Sequence, residues 1–143
     1  MAEQDGESET HTRHTDRPFD LTRASERIRV SRAAVRSMRR VADEWSLTDD
    51  EAARLLGPTT DDWLAVEAEP PLDWGQDVLI RVSHVLGIWT ALMRLHEPAL
   101  ARAWMTRRNS NDLFAGQRPI DLAMSGGLPA IEMIKTLLNS RTA

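Results

Sequence analysis

The sequence predicts an all-α protein: a compact helical domain with a helix-turn-helix-like segment and a C-terminal two-helix region, preceded by a disordered tail. Three observations lead to this prediction. Apolar residues recur every three or four positions through most of the chain, which is the period of an amphipathic helix. Glycine and proline punctuate those runs at Gly57-Pro58, Pro70-Pro71 and Gly126-Gly127. The 143 residues, 41% hydrophobic and 28% charged, suffice for one modest water-soluble domain.

Cysteine is absent, which excludes a disulfide framework, a thiolate nucleophile and a cysteine-based zinc site. Together with an N-terminus that lacks the apolar core of a signal peptide, this predicts a cytoplasmic protein. The most apolar stretch, Val78 to Met93, is interrupted by Arg81 and His84 and is expected to be too short to span a bilayer. We therefore expect no membrane partner.

Charge is segregated along the chain beneath a net charge of −4. Residues 1–20 sum to −4, and residues 21–40, which hold seven arginines, sum to +6. The sign then reverses to −9 over residues 41–75 and returns to +3 over residues 76–143. Such an asymmetry predicts distinct partners for distinct segments.

Residues 1–17 form the predicted acidic tail, because they contain almost nothing apolar that could offset the entropy of ordering the backbone. His11 and His14 lie in it, but no helix is predicted there and no third ligand stands nearby. No metal site and no cofactor is therefore expected.

Residues 18–45 are predicted to form an Arg-rich amphipathic helix of about six or seven turns, because neither Gly nor Pro interrupts Leu21 to Trp45. The apolar positions, with Ser31 in the one gap, are Leu21, Ala24, Ile28, Val35, Met38, Ala42 and Trp45. Such a stripe has to be buried. It can dock on a second copy, which predicts a homodimer, or on the protein's own domain.

Five arginines flank this stripe, namely Arg29, Arg32, Arg36, Arg39 and Arg40. A charge run of this kind is ordinarily a solvated helix face. The alternative is contact with DNA phosphates or with an acidic partner, which makes these arginines the candidate DNA-binding residues.

Residues 46–75 resemble a helix-turn-helix. The Thr48 hydroxyl and Glu51 form a capping box at the start of a helix over Asp49 to Leu56, and Gly57 ends it. A second cap at Thr60-Asp61-Asp62 opens another short helix. That second helix is acidic and offers no Arg, Lys, Asn or Gln to read a base edge, so sequence-specific DNA reading by it is disfavoured.

Residues 76–143 begin with the most strongly patterned helix, which we expect to be central in the core. His84 and His96 belong to this region and are expected to be ordinary histidines rather than catalytic bases, since no triad surrounds them. Pro98 opens the next helix, whose inward residues are predicted to be Leu100, Ala103, Trp104 and Met105.

The last third of the chain contains a polar loop between two aromatic residues, Trp104 and Phe114, that we expect to anchor it. Gly116 supplies a backbone conformation closed to other residues, and Pro119 presets a helix whose first turn Asp121 would cap. After Gly126-Gly127, Pro129 opens a last helix with an apolar face of Ile131, Ile134 and Leu138.

This pattern resembles the toxin-binding domain of the Xre/MbcA/ParS-like antitoxins. The resemblance rests on Trp104, the Asn-containing loop, Leu113-Phe114, Gly116, and Pro119-Ile120-Asp121-Leu122 opening a helix. Arg81 and the stretch from Ile88 to Leu92 add to it, and so does the helix-turn-helix-like segment. It covers the chain from about Ser46 onwards.

The resemblance implies a type II antitoxin whose partner is a RES-domain toxin that degrades NAD, and which neutralises that toxin by occluding its active site. It also implies possible autoregulation of the operon. Residues 111–143 would form the main inhibitory surface. The implied toxin-binding residues are Asn111, Leu113, Phe114, Gly116, Pro119, Asp121, Leu122, Lys135, Asn139, Ser140 and Arg141.

Two other classes of function remain to be weighed. One is a DNA-binding transcriptional regulator in which the C-terminal domain only dimerises. The other is an enzyme, which is disfavoured because there is no Gly-rich phosphate loop, no metal-spaced histidine set and no paired carboxylates in an apolar setting.

Overall fold

The computed structural model describes residues 20–57, 63 and 73–142. Within these residues the chain is all-α, with no strand, and the predicted fold class is confirmed. The five helices are α1 (Ala24–Glu44), α2 (Asp49–Leu56), α3 (Gln76–Leu95), α4 (Pro98–Ala103) and α5 (Pro119–Thr142). Two single turns of 3-10 helix, Trp104–Thr106 and Asp112–Phe114, lie between α4 and α5. The acidic tail and, apart from Trp63, the second helix of the helix-turn-helix-like segment lie outside the described residues.

Helix α3 is the centre of the core, with α1 against one side of it and α5 against another. Its buried residues are Leu79, Val82, Val85, Ile88, Ala91 and Leu92. Helix α2 packs on both α3 and α5, so the elements share one continuous apolar core. The prediction that α3 is the central helix is confirmed.

The apolar stripe of α1 docks on its own chain. Val35, Met38, Ala42 and Trp45 are buried in the common core. The stripe could dock on a second copy or on the protein's own domain, and the structure shows the second of these. The stripe no longer argues for a homodimer, which stays a prediction without that support.

The predicted stripe of α1 is wrong in its first turns, where Ala24 is exposed and Ile28 is 44% exposed. The reason is that this end of α1 is held by polar contacts instead. Arg27 donates to both carboxylate oxygens of Asp73 at 3.1 Å. Ser31, the gap in the stripe, is fully buried and accepts a hydrogen bond from the Trp74 backbone N–H at 3.1 Å.

Helix α4 also departs from its prediction, because Leu100 is 37% exposed and Ala101 is the fully buried residue. Pro98 occupies the first turn, as expected. The small Ala101 side chain belongs to the common core, and this rotation of the helix leaves Leu100 outward. Trp104 and Met105 are buried as predicted.

Helix α2 confirms both of its predicted ends. Thr48 Oγ1 accepts from the Glu51 N–H at 3.1 Å, and the Glu51 carboxylate accepts from the Thr48 N–H at 2.9 Å. Gly57 closes the helix in the left-handed region, with φ of 93°. Beyond it, Trp63 is fully buried and its Nε1 donates to Asp49 at 3.0 Å.

The length argument against a membrane span does not hold for α3. The helix runs for 20 residues and contains an 18-residue window with mean hydropathy of 1.4, so by length and composition alone it is the one described helix that could cross a membrane. Its inward residues are packed against α1 and α5, as in the core helix of a globular protein.

Candidate partner-binding site

The loop before α5 is anchored by two aromatic rings. Trp104 and Phe114 are both buried, and their rings meet edge to face with centroids 5.8 Å apart. This arrangement is favoured by the ring quadrupoles and confirms the predicted anchor. The loop is closed by the Asn109 N–H, which donates to the Gln117 carbonyl at 3.1 Å, and by Asn111 Oδ1, which accepts from the Leu113 N–H at 2.9 Å.

The tip of the same loop is turned outward by two successive left-handed residues. Ala115 has φ of 48° and Gly116 has φ of 80°. Both are exposed, and a side chain at Gly116 would meet no atom within 4 Å. The glycine is therefore needed for its backbone conformation, as predicted, and not for space. The result is an anchored loop with an exposed tip.

The start of α5 is held by an arginine that the sequence interpretation missed. Arg118 Nη2 donates to Asp121 Oδ1 at 2.7 Å, and its Nε donates to Oδ2 at 3.0 Å. Asp121 also accepts from the Arg118 backbone N–H at 3.3 Å, so it does cap the first turn. These hydrogen bonds raise the pKa of Arg118 and lower the pKa of Asp121. Arg118 Nη2 further contacts the Glu51 carboxylate of α2 at 3.3 Å.

Helix α5 is sharply kinked at the predicted glycine pair. Gly127 has φ of 66° and ψ of −152°, a combination that side-chain-bearing residues avoid. At Gly126 a Cβ would lie 2.5 Å from the Ala130 Cβ, so that glycine is needed for space. The two helices predicted from Pro119 and Pro129 are thus the two arms of α5.

Arg81 of α3 lies beside this kink. A Cβ added at Gly57 or at Gly127 would be 3.6 Å from its guanidinium, so the arginine is flanked by two left-handed glycines. Its Nε is 3.1 Å from an Asp77 oxygen but is not aligned for a hydrogen bond. The guanidinium therefore fills the space between the end of α2 and the kink.

The second arm of α5 is bound to α3 by its apolar face, since Ile131, Ile134 and Leu138 are fully buried. Lys135 reaches His84 with 3.3 Å between Nζ and Nδ1. Burial first, and Lys135 second, lower the pKa of His84. No group of three or more side chains able to hold a metal occurs in the part of the chain that the structure describes.

The implied toxin-binding residues divide into two sets. Those that mainly build the site are buried or half-buried, and they are Asn111, Leu113, Phe114, Pro119, Asp121, Leu122 and Lys135. Those that are exposed to a partner are Gly116, Asn139, Ser140 and Arg141. Asn139, Ser140 and Arg141 lie in the last turn of α5, which ends at Thr142.

The five candidate DNA-binding arginines also divide. Arg29 pairs with Glu26 at 2.8 Å. Arg39 stacks on the Trp63 ring at 4.2 Å and lies 3.6 Å from Asp49, so its role is structural. The remaining three, Arg32, Arg36 and Arg40, are exposed along one ridge of α1 and form no ion pair with any described residue.

One of the two contacts of Arg118 could have been predicted from the sequence. Arg118 and Asp121 are three residues apart at a helix start, a spacing that favours pairing. The contact of Arg118 with Glu51 spans 67 residues, and no local pattern indicates it.

Comparison with known proteins finds a relative in Sinorhizobium fredii (strain NBRC 101917 / NGR234), the uncharacterized protein y4oB. It is 31% identical over 107 residues, which cover 71% of this chain and 78% of the relative. The chain belongs to the y4oB family. Membership in the y4oB family adds no activity or partner, because the relative's name states none. No family model and no solved structure matches the chain.

Proposed function

We propose that this protein is a type II antitoxin of the Xre/MbcA/ParS-like kind, a cytoplasmic protein whose partner is a RES-domain toxin that degrades NAD. The observation that carries the proposal is the anchored loop followed by the kinked α5. In this arrangement Trp104 and Phe114 fix the loop while the tip at Gly116 and the last turns of α5 stay exposed.

Neutralisation would be steric, and the protein would need no enzymatic activity of its own. A rigid arm suits this role, because a segment that is already ordered loses little conformational entropy on binding. The second arm of α5 is held by three fully buried residues, Ile131, Ile134 and Leu138. The exposed polar residues that follow, Asn139 to Arg141, would then enter the mouth of the toxin's NAD site.

The test is co-expression with the toxin encoded beside the gene, read out by growth and by co-elution with light scattering. A truncation at Gly127 is unsuitable because it removes Ile131, Ile134 and Leu138 from the core. The informative variant is Ser140→Ala with Arg141→Ala, which changes only exposed side chains.

A matched control exists on α3. Thr90 and Arg94 are also exposed, Arg94 also lies in a last turn, and the Thr90 hydroxyl bonds a carbonyl of its own helix as that of Ser140 does. We expect the α5 pair to weaken growth rescue and the Thr90→Ala, Arg94→Ala pair to preserve it. If both double variants rescue growth equally and still form the complex, the end of α5 is not part of the inhibitory surface.

A DNA-binding regulator is the second candidate function, and the ridge of Arg32, Arg36 and Arg40 favours it. Three phosphate contacts predict that affinity for duplex DNA falls about 40-fold between roughly 50 and 200 mM salt. The proposed toxin contact contains one exposed charge, Arg141, so we expect the affinity of the toxin complex to depend far less on salt. Binding that is unchanged when the three arginines are replaced by alanine would exclude this ridge as the DNA contact.

A further inference from the structure

A groove runs between α1 and α3. Two adjoining hollows form it, of about 650 Å³ and about 450 Å³, and both are lined by Ser37 and Leu86. Val30 and Ala34 line one end, and Trp89 and Met93 line the other. Along α1 the lining extends from Val30 to Glu44, which is about 21 Å of helix.

The floor of this groove is apolar and preorganised. Met93 is 56% exposed, which is the largest exposure of any large apolar side chain in the described part of the protein. Beside it, Trp89 is held edge to face against the buried Trp45, with ring centroids 6.3 Å apart. A rigid aromatic next to a flexible methionine is a surface suited to accepting apolar side chains from a partner.

The rim of the groove is basic. Among the described residues that line the groove, Glu44 is the one acidic side chain, and it is already paired with Arg102 at 3.0 Å. Arg40 is exposed one turn before Glu44 on α1 and has no ion pair with a described residue. Arg107 and Arg108 follow in the adjoining hollow, which shares His96 with this one. The unbalanced charge at the rim is therefore positive.

His96 supplies an unused polar atom at the same place. Its Nε2 is buried and has no hydrogen-bond partner among the described residues, although the residue lines the 650 Å³ hollow and the hollow of Arg107 and Arg108. Buried polar atoms are normally hydrogen-bonded, so this nitrogen is available to a polar group of a partner at the edge of the groove.

We propose that this groove binds an amphipathic helix of a partner protein, with its apolar face on Trp89 and Met93 and its carboxylates against Arg40. Helix-in-groove recognition uses anchors spaced by three and four residues, and about 21 Å accommodates roughly four helical turns. The acidic flank follows from the basic rim. This site is separate from the proposed toxin-binding residues and does not depend on the antitoxin function.

The probe is a displayed library of 16-residue helical peptides, selected on the full chain. Each peptide carries fixed apolar anchors, while every flanking position is randomly Glu or Lys. We expect peptides enriched in Glu to be recovered. Met93→Glu should weaken their binding at least about ten-fold. The control Met133→Glu, at a methionine that is 49% exposed on α5, should leave binding unchanged.

A second pair of variants tests the charge. Arg40→Glu should weaken binding, whereas Arg36→Glu, one turn away on α1 and outside the lining, should not. All four variants change exposed residues, and their thermal unfolding is compared first so that only folded proteins are scored.

Several outcomes would overturn the proposal. These are recovery of no binder, recovery of Lys-rich peptides, or equal binding to the Met93→Glu variant. If the chain alone is a dimer that Met93→Glu dissociates, a second copy covers the groove instead of a partner helix. If Arg36→Glu and Arg40→Glu weaken binding equally, the attraction is a general property of the α1 ridge.

Discussion

Replacing Gly127 by alanine should destabilise the protein through backbone strain alone. The added Cβ would lie 3.6 Å from Arg81 Nη2, an ordinary contact, so no clash contributes. The conformation itself, φ of 66° with ψ of −152°, is restricted to glycine. We expect a loss of about 2 kcal/mol, which is the middle of the range for a residue held in such a region.

Gly57 provides a matched control, because the contact with Arg81 is the same and only the conformation differs. A Cβ there would also lie 3.6 Å from the guanidinium, but φ of 93° with ψ of −19° is the left-handed helical region that asparagine tolerates. Gly57→Asn should therefore be less destabilising than Gly57→Ala. At Gly127, asparagine should be no better than alanine.

The assay is urea unfolding followed by helical circular dichroism, with thermal unfolding as a second measure. A loss of about 2 kcal/mol corresponds to a lowering of Tm by about 8 °C for a domain of this size. Wild-type stability of Gly127→Ala, or its rescue by asparagine, would refute the argument that the kink depends on a glycine-only conformation.

Three further changes test the contacts around α5. Phe114→Ala empties a fully buried site and should cost about 3–5 kcal/mol in urea titrations, with Phe114→Leu costing clearly less; equal losses would contradict tight ring packing. Hydrogen bonds from Arg118 lower the pKa of Asp121, so its stabilising contribution is present above pH 3.8 and is lost as pH falls through the lowered pKa. Asp121→Asn should reduce this loss of unfolding free energy at low pH. An unchanged loss would count against the pairing of Asp121 with Arg118. Burial and Lys135 lower the pKa of His84 in the folded protein. As the pH falls below 6.5, His84 is therefore protonated more readily in the unfolded chain than in the folded one, and the free energy of unfolding decreases. His84→Gln should remove that decrease, measured as the free energy of unfolding between pH 7 and pH 5.

The helices could be predicted from the sequence because their signals are local. The capping box of Thr48 and Glu51 and the left-handed Gly57 involve residues within one turn of the helix ends. The glycine pair and Pro129 likewise marked the kink in α5. The apolar period placed α3 over Val78 to Met93, close to the observed Gln76–Leu95.

The orientation of side chains was less predictable, since it depends on what packs against each helix. Ile28 fits the stripe of α1 and is exposed, because Arg27 and Asp73 hold that end of the helix by an ion pair. Leu100 is outward because the neighbouring Ala101 is the residue of α4 that enters the core. Periodicity defines a face, but only the neighbouring element decides how far along the helix that face is covered.

Glu51 connects the helix-turn-helix-like segment to the proposed toxin-binding domain, because its carboxylate contacts residues of both. One of its carboxylate oxygens caps α2 by accepting from the Thr48 N–H, and the other accepts from Arg118 at 3.3 Å. Arg118 in turn holds Asp121 in the first turn of α5. The start of α2 and the start of α5 are therefore fixed by the same carboxylate. A partner that moves the first arm of α5 would therefore disturb the contact between Arg118 and Glu51, which ties that arm to the capped end of α2.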